Sequence, residues 1–314
     1  MEKFKNVKEY SVFEILPTGI SGLMLALFAL GNMLKSISEY IRYSCGILGF
    51  LLFLMLIIKA LFYYKNLEGE FRNVAIASVM PTFSMGTMIL GAYILPFNRS
   101  IGILLWYAAI LIHIILMVLF TKKYIINFKT ENVLPSWYIV YVGIATASLT
   151  GKSINPALAQ HCFYFGLISY LILTPIILNR VYRVKEIIKP DLPTKVIMAA
   201  PGSLCLAGYL VLFEHKSIAM VVFLLVISQF LYILVLKELP SLLKLSFYPS
   251  FSAFTFPTVI TAFSLKLSAK YFLSIGINLK VVNLIVIIEE ALAIALCLYV
   301  GQKYAEFVGE RFRI

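Results

Sequence analysis

Charge is scarce in this chain. Asp, Glu, Lys and Arg make up 13% of its 314 residues, about half the share that a water-facing globular surface carries. Aspartate is nearly missing, with Asp191 the single example, so no aspartate pair is available for acid–base or metal chemistry. The three histidines and four cysteines show no CxxC or HExxH spacing, and no metal site or cofactor is implied. Cys45, Cys162, Cys205 and Cys297 lie scattered in apolar stretches and read as small core residues. There is no GxSxG elbow and no phosphate-cradling glycine loop. Together these gaps exclude a soluble domain and argue against an enzyme.

What the chain does have is apolar bulk: it is 61% hydrophobic, with mean hydropathy +0.93. A bilayer-crossing helix needs about 20 mostly apolar residues. Ten such stretches can be drawn, at 13–34, 40–63, 74–95, 100–121, 133–150, 157–180, 196–213, 217–237, 247–265 and 281–302. The expectation is an all-α integral membrane protein whose ten helices form five hairpins. Short connections leave room for one transmembrane domain over 1–314, with segments 1–12 and 303–314 outside the bilayer. No small-residue cleavage site follows the first apolar stretch, so that stretch reads as a retained span.

The net charge of +12 points to membrane topology, not to nucleic acid. With the N-terminus inside, nineteen of the 27 basic residues fall in cytoplasmic segments and eight on the other side. That bias predicts a multi-pass protein of the cell membrane with both termini cytoplasmic.

The odd-numbered spans share a pattern. Each carries a proline near its cytoplasmic start: Pro17, Pro81, Pro135, Pro201 and Pro257. The spacings of 64, 54, 66 and 56 residues correspond to one hairpin each. Small or hydroxylated residues follow, among them Thr18, Gly19, Gly22, Thr82, Gly86, Ser136, Gly143, Gly202, Thr258 and Thr261. Such helices can approach closely or line a passage. The even spans are bulky and apolar throughout, as expected of helices facing lipid or another subunit. Five inner helices ringed by five outer ones would enclose a central conduit. A proline in a helix interior costs about 3 kcal/mol or more, so the five prolines are expected to bend the inner helices around that axis. No Lys or Arg is expected deep in an odd span, which suits weak, fast passage of anions better than tight capture.

Ten spans, a proline opening each odd helix, "LPTGISG" at 16–22 and "FSAFTFP" at 251–257 resemble the tellurite-resistance/dicarboxylate transporter family. That family includes bacterial TehA proteins, yeast malate permeases and plant slow anion channels. The resemblance covers about residues 10–305. It implies a homotrimer of independent protomers, each a pseudo-fivefold pore for small inorganic anions such as chloride and nitrate. It also implies a phenylalanine plug from the ninth span, carried onto Phe256, with Phe254 the second choice and Phe251 a third. The alternative is a secondary transporter for C4-dicarboxylates or tellurite, with proton coupling. Glu289 and Glu290, near the middle of span ten, and His113 and His161 are the groups such a carrier would use.

Overall fold

The structure, a computed structural model, describes residues 11–312. Residues 1–10 and 313–314, which belong to the expected cytoplasmic end segments, lie outside the described residues. The described chain is helical, with no strand. Its main helices are α1 (Thr18–Leu34), α2 (Glu39–Phe62), α3 (Val74–Ile94) and α4 (Arg99–Ile125). They are followed by the short α5 (Trp137–Tyr141) and α6 (Thr146–Thr150). Next come α7 (Pro156–Val184), α8 (Lys189–Leu212) and α9 (Ile218–Leu242). The last two are α10 (Phe256–Ser274) and α11 (Lys280–Phe312).

Seven of these (α2, α3, α4, α7, α8, α9 and α11) are long and apolar enough to cross a membrane, and the chain is a multi-pass α-helical membrane protein. The other three expected spans differ in kind. α1 is apolar but shorter. The stretch around 137–150 is broken, because a 3₁₀ turn at Gly143–Ala145 separates α5 from α6. α10 is diluted by five serines and threonines and by Lys266 and Lys270.

Burial separates two classes of helix. Within the apolar spans, 78% of α3 and 89% of α8 is buried, against 28–39% of α2, α4, α7, α9 and α11. Nearly all of α1 is buried too. Contacts follow the same division. α1 packs on α3, α3 on α6, α6 on α8, α8 on α10, and α10 returns to α1, while each outer helix packs on the inner segment that precedes it. Three of the outer helices start at side-chain caps: Ser38 before α2, Asn98 before α4, and Asn155 with Pro156 before α7. Where α3 meets α4 the backbones nearly touch. A Cβ on Gly91 would fall 2.9 Å from the Gly102 carbonyl oxygen, which is why neither position carries a side chain.

The prolines do not bend helix interiors, and that expectation is corrected. Pro257 is the second residue of α10, and Pro201 is the second residue of the α-helical part of α8, Ala200–Leu212. Pro17 immediately precedes α1, Pro135 lies in the turn before α5, and Pro81 opens the Thr82–Ile94 part of α3. At a first turn the missing N–H has no intrahelical partner in any case, so the interior penalty is not incurred. Each inner segment is a helix restarted after a break. The preceding stretch is a 3₁₀ run at Lys189–Ala199 and at Pro249–Phe254, and a short helix at Val74–Val79.

Candidate functional site

All five inner segments meet at one small cavity of about 40 Å³, room for about three waters. Its wall takes Gly22 from α1, Val79, Thr82 and Met85 from α3, and Tyr138, Ile139, Val142 and Gly143 from the α5 region. It also takes Ile197, Ala200, Pro201 and Leu204 from α8, and Ser252, Ala253, Phe256 and Pro257 from α10 and the turn before it. Among the described residues no charged side chain lines it. Its hydroxyls are engaged elsewhere. Thr82 Oγ1 donates to Val79 O at 2.7 Å, Ser252 Oγ to Pro249 O at 3.2 Å, and Tyr138 Oη to Thr174 Oγ1 at 3.0 Å. The result is a narrow apolar cavity between the inner segments, the throat.

Beyond Val79, which lines both, opens a cavity of about 1290 Å³. It lies where α1 begins and α11 ends. Pro17, Thr18 and Gly19 line it, with Tyr248, Pro249 and Phe307, and with the charged side chains of Glu14, Glu70, Asp191 and Arg311. Glu70 is neutralised by the buried Lys59, whose ammonium lies 2.5 Å from Oε1 and donates to Leu16 O at 2.6 Å. Thr18 Oγ1 donates to the other carboxylate oxygen of Glu70.

Of the residues expected at the conduit, Phe256, Pro257, Gly22, Thr82, Gly143 and Pro201 line the throat, and Pro17 and Gly19 line the wider cavity. Phe254 does not line it. It is fully buried against Phe251, ring centroids 4.9 Å apart. Gly86 serves close packing of α3 on α1, its Cβ position lying against the Met24 side chain and Leu25 Cα. Gly202 faces outward to Tyr170 and Ser228. Pro135 and Ser136 form the turn before α5, where Ser136 Oγ accepts from Ser78 Oγ at 2.6 Å.

Thr258 and Thr261 serve the backbone. Thr258 Oγ1 donates to Phe254 O at 2.9 Å and Thr255 O at 2.8 Å, satisfying carbonyls beside Pro257. Thr261 Oγ1 donates to Pro257 O at 2.8 Å and Ala199 O at 3.2 Å, and meets Ser203 Oγ at 3.1 Å. Ser21 and Thr82 join α1 to α3 at 2.6 Å. The hydroxyls of the inner helices therefore mostly bond to carbonyls of their own segment, and several also cross to a neighbouring helix. The apolar wall residues Val79, Met85, Ile139, Val142, Ile197 and Leu204 escaped sequence reading, because an apolar side chain carries no mark of whether it faces core, lipid or throat.

The ionisable groups of the carrier alternative lie away from the throat. Glu290 pairs with Lys266 at 2.7 Å, and Lys266 also donates to Met33 O at 3.0 Å. Lys266 lies inside α10, which corrects the expectation of an odd span free of basic side chains, but it points to α11 and α1. Glu289 is buried in α11, its Oε2 without a partner among the described residues. His113 is enclosed between Ser84 Oγ at 2.9 Å and Val140 O at 3.2 Å. His161 is exposed and contacts Ala157 O of its own helix. The four cysteines are free, as small core residues would be.

Comparison with known proteins places the chain in a family. One curated relative, an uncharacterized transporter of Methanocaldococcus jannaschii, is 30% identical over 132 residues, 40% of this chain and 38% of the relative. The match thus spans under two fifths of that relative's length. The family described as voltage-dependent anion channel, SLAC1, matches residues 14–301. By that match over nearly its whole length, the chain belongs to the SLAC1 family.

Proposed function

We propose that the chain is a channel for small monovalent anions such as chloride and nitrate, with its pore between the inner segments and Phe256 as the plug. The observation that carries this reading is the throat itself, walled from every inner segment and holding Phe256. The cyclic contacts from α1 round to α10 and back support five hairpins in a pseudo-fivefold arrangement, with ten crossings. The basic bias of the segments on the terminal side supports cytoplasmic termini in a plasma-membrane protein. The exposed apolar faces of the outer helices suit lipid and the neighbours of a homotrimer. The whole of 1–314 then forms one channel domain. With no charge in the throat, passing anions bind weakly and leave readily.

A carrier for C4-dicarboxylates or tellurite remains the second reading, favoured by the transporter description of the archaeal relative and by the unpartnered Glu289 oxygen. Against it, neither Glu289 nor Glu290 reaches the throat, and Glu290 is already paired. Recording reconstituted protein in symmetrical chloride separates the two. A channel gives passive current that grows well above wild type in Phe256→Ala. Unchanged current in that variant refutes the plug, and saturable uptake driven by a proton gradient establishes the carrier.

A further inference from the structure

The charges on the path to the throat lie in the wider cavity. Among the described residues four ionisable side chains line it, Glu14, Glu70, Asp191 and Arg311, and Glu14, like Asp191, has no ion pair among them. Glu70 is answered by Lys59 at 2.5 Å. The Arg311 guanidinium lies over the Phe307 ring, 4.2 Å from its centroid. Lys195, four residues beyond Asp191, is held by Glu238 at 2.8 Å. Asp191 is half-buried at the first turn of α8, and among the described residues its carboxylate forms no ion pair. It is also the one aspartate of the chain, placed on the helix whose far turns supply Ile197, Ala200, Pro201 and Leu204 to the throat.

We infer that Asp191 is a valence filter: its carboxylate repels anions entering from the terminal side and repels divalent anions more than monovalent ones. This rests on the pore reading above. A unit charge about 8 Å from a passing ion in a water-filled vestibule changes its local concentration about twofold for a monovalent anion and about fivefold for a divalent one. The effect is confined to low ionic strength, because at 1 M salt the screening length shrinks to about 3 Å.

The test is flux from proteoliposomes in which Phe256→Ala holds the throat open, measured with chloride and with sulfate. Adding Asp191→Asn should raise chloride flux about twofold and sulfate flux about fivefold at 10 mM salt, with both gains vanishing at 1 M. Asp191→Glu, which keeps the charge, should behave as the parent and so separates charge from shape. Equal gains for chloride and sulfate, gains that persist at 1 M salt, or no gain at all overturn the filter while leaving the pore intact. Absence of anion flux in the Phe256→Ala parent overturns the pore and the filter together.

Discussion

Lys266 of α10 and Glu290 of α11 form an ion pair at 2.7 Å within the helical bundle, and the same ammonium donates to the Met33 carbonyl oxygen at the end of α1. One side chain thus ties three helices together. Removing a single partner strands the other charge where water is scarce, which destabilises by roughly 2–4 kcal/mol for a pair not fully enclosed. Lys266→Met should therefore lower the melting temperature in detergent by several degrees, and Lys266→Met combined with Glu290→Leu should recover most of the loss. A double variant no more stable than Lys266→Met would show that the pair contributes nothing.

Phe254 and Phe256 are two residues apart and should respond oppositely to truncation. Phe254 is completely enclosed, so Phe254→Ala removes core contacts and costs about 3–5 kcal/mol without adding current. Phe256→Ala should add current at a smaller loss of stability. Thermal unfolding and single-channel recording on both variants check the contrast, and a current gain in Phe254→Ala would move the plug.

Gly143 lines the throat, and a Cβ there would fall 2.7 Å from Met85 Sδ and 3.0 Å from His113 Cε1. In the Phe256→Ala background, Gly143→Val should narrow the passage and cut anion flux. Overpacking of this kind costs about 1–3 kcal/mol, so flux must be normalised to folded protein measured by gel filtration. Undiminished flux would place the passage elsewhere.

Thr258 tests whether a hydroxyl lines the passage or serves the local backbone. Its hydroxyl is engaged with Phe254 O and Thr255 O, so Thr258→Val should lower stability by about 1 kcal/mol and leave the chloride-to-nitrate permeability ratio unchanged. A shifted ratio would mean that the hydroxyl touches the ion.

Much of this organisation was legible because small residues and prolines record backbone constraints. Pro17, Pro135 and Pro257 fall at helix starts, and Pro81 and Pro201 at the point where α3 and α8 continue as regular α-helix, where bends had been expected. The reason is that in a first turn a missing N–H leaves no intrahelical hydrogen bond unmade. The break at Gly143–Ala145 was hidden, since no proline announces it. Lys266 read as a loop residue because the apolar window ended at 265, whereas a paired cation can continue a helix past that point. The throat's wall was the least legible part. Met85 and Leu204 are recognisable only once the helices are placed.

The backbone around Phe256 is held from both sides. Thr255 Oγ1 reaches Gly22 O of α1 at 3.3 Å and Ser252 O at 2.7 Å, while Thr258 clasps the turn from the other flank. A door mounted on so stiff a frame has one inexpensive movement, a swing of the aromatic side chain about its own χ1. In the plug reading proposed above, such a swing needs no movement of the helices that carry it. A stimulus acting on the proposed plug would then work as a doorstop, favouring one rotamer, and need not haul the walls apart.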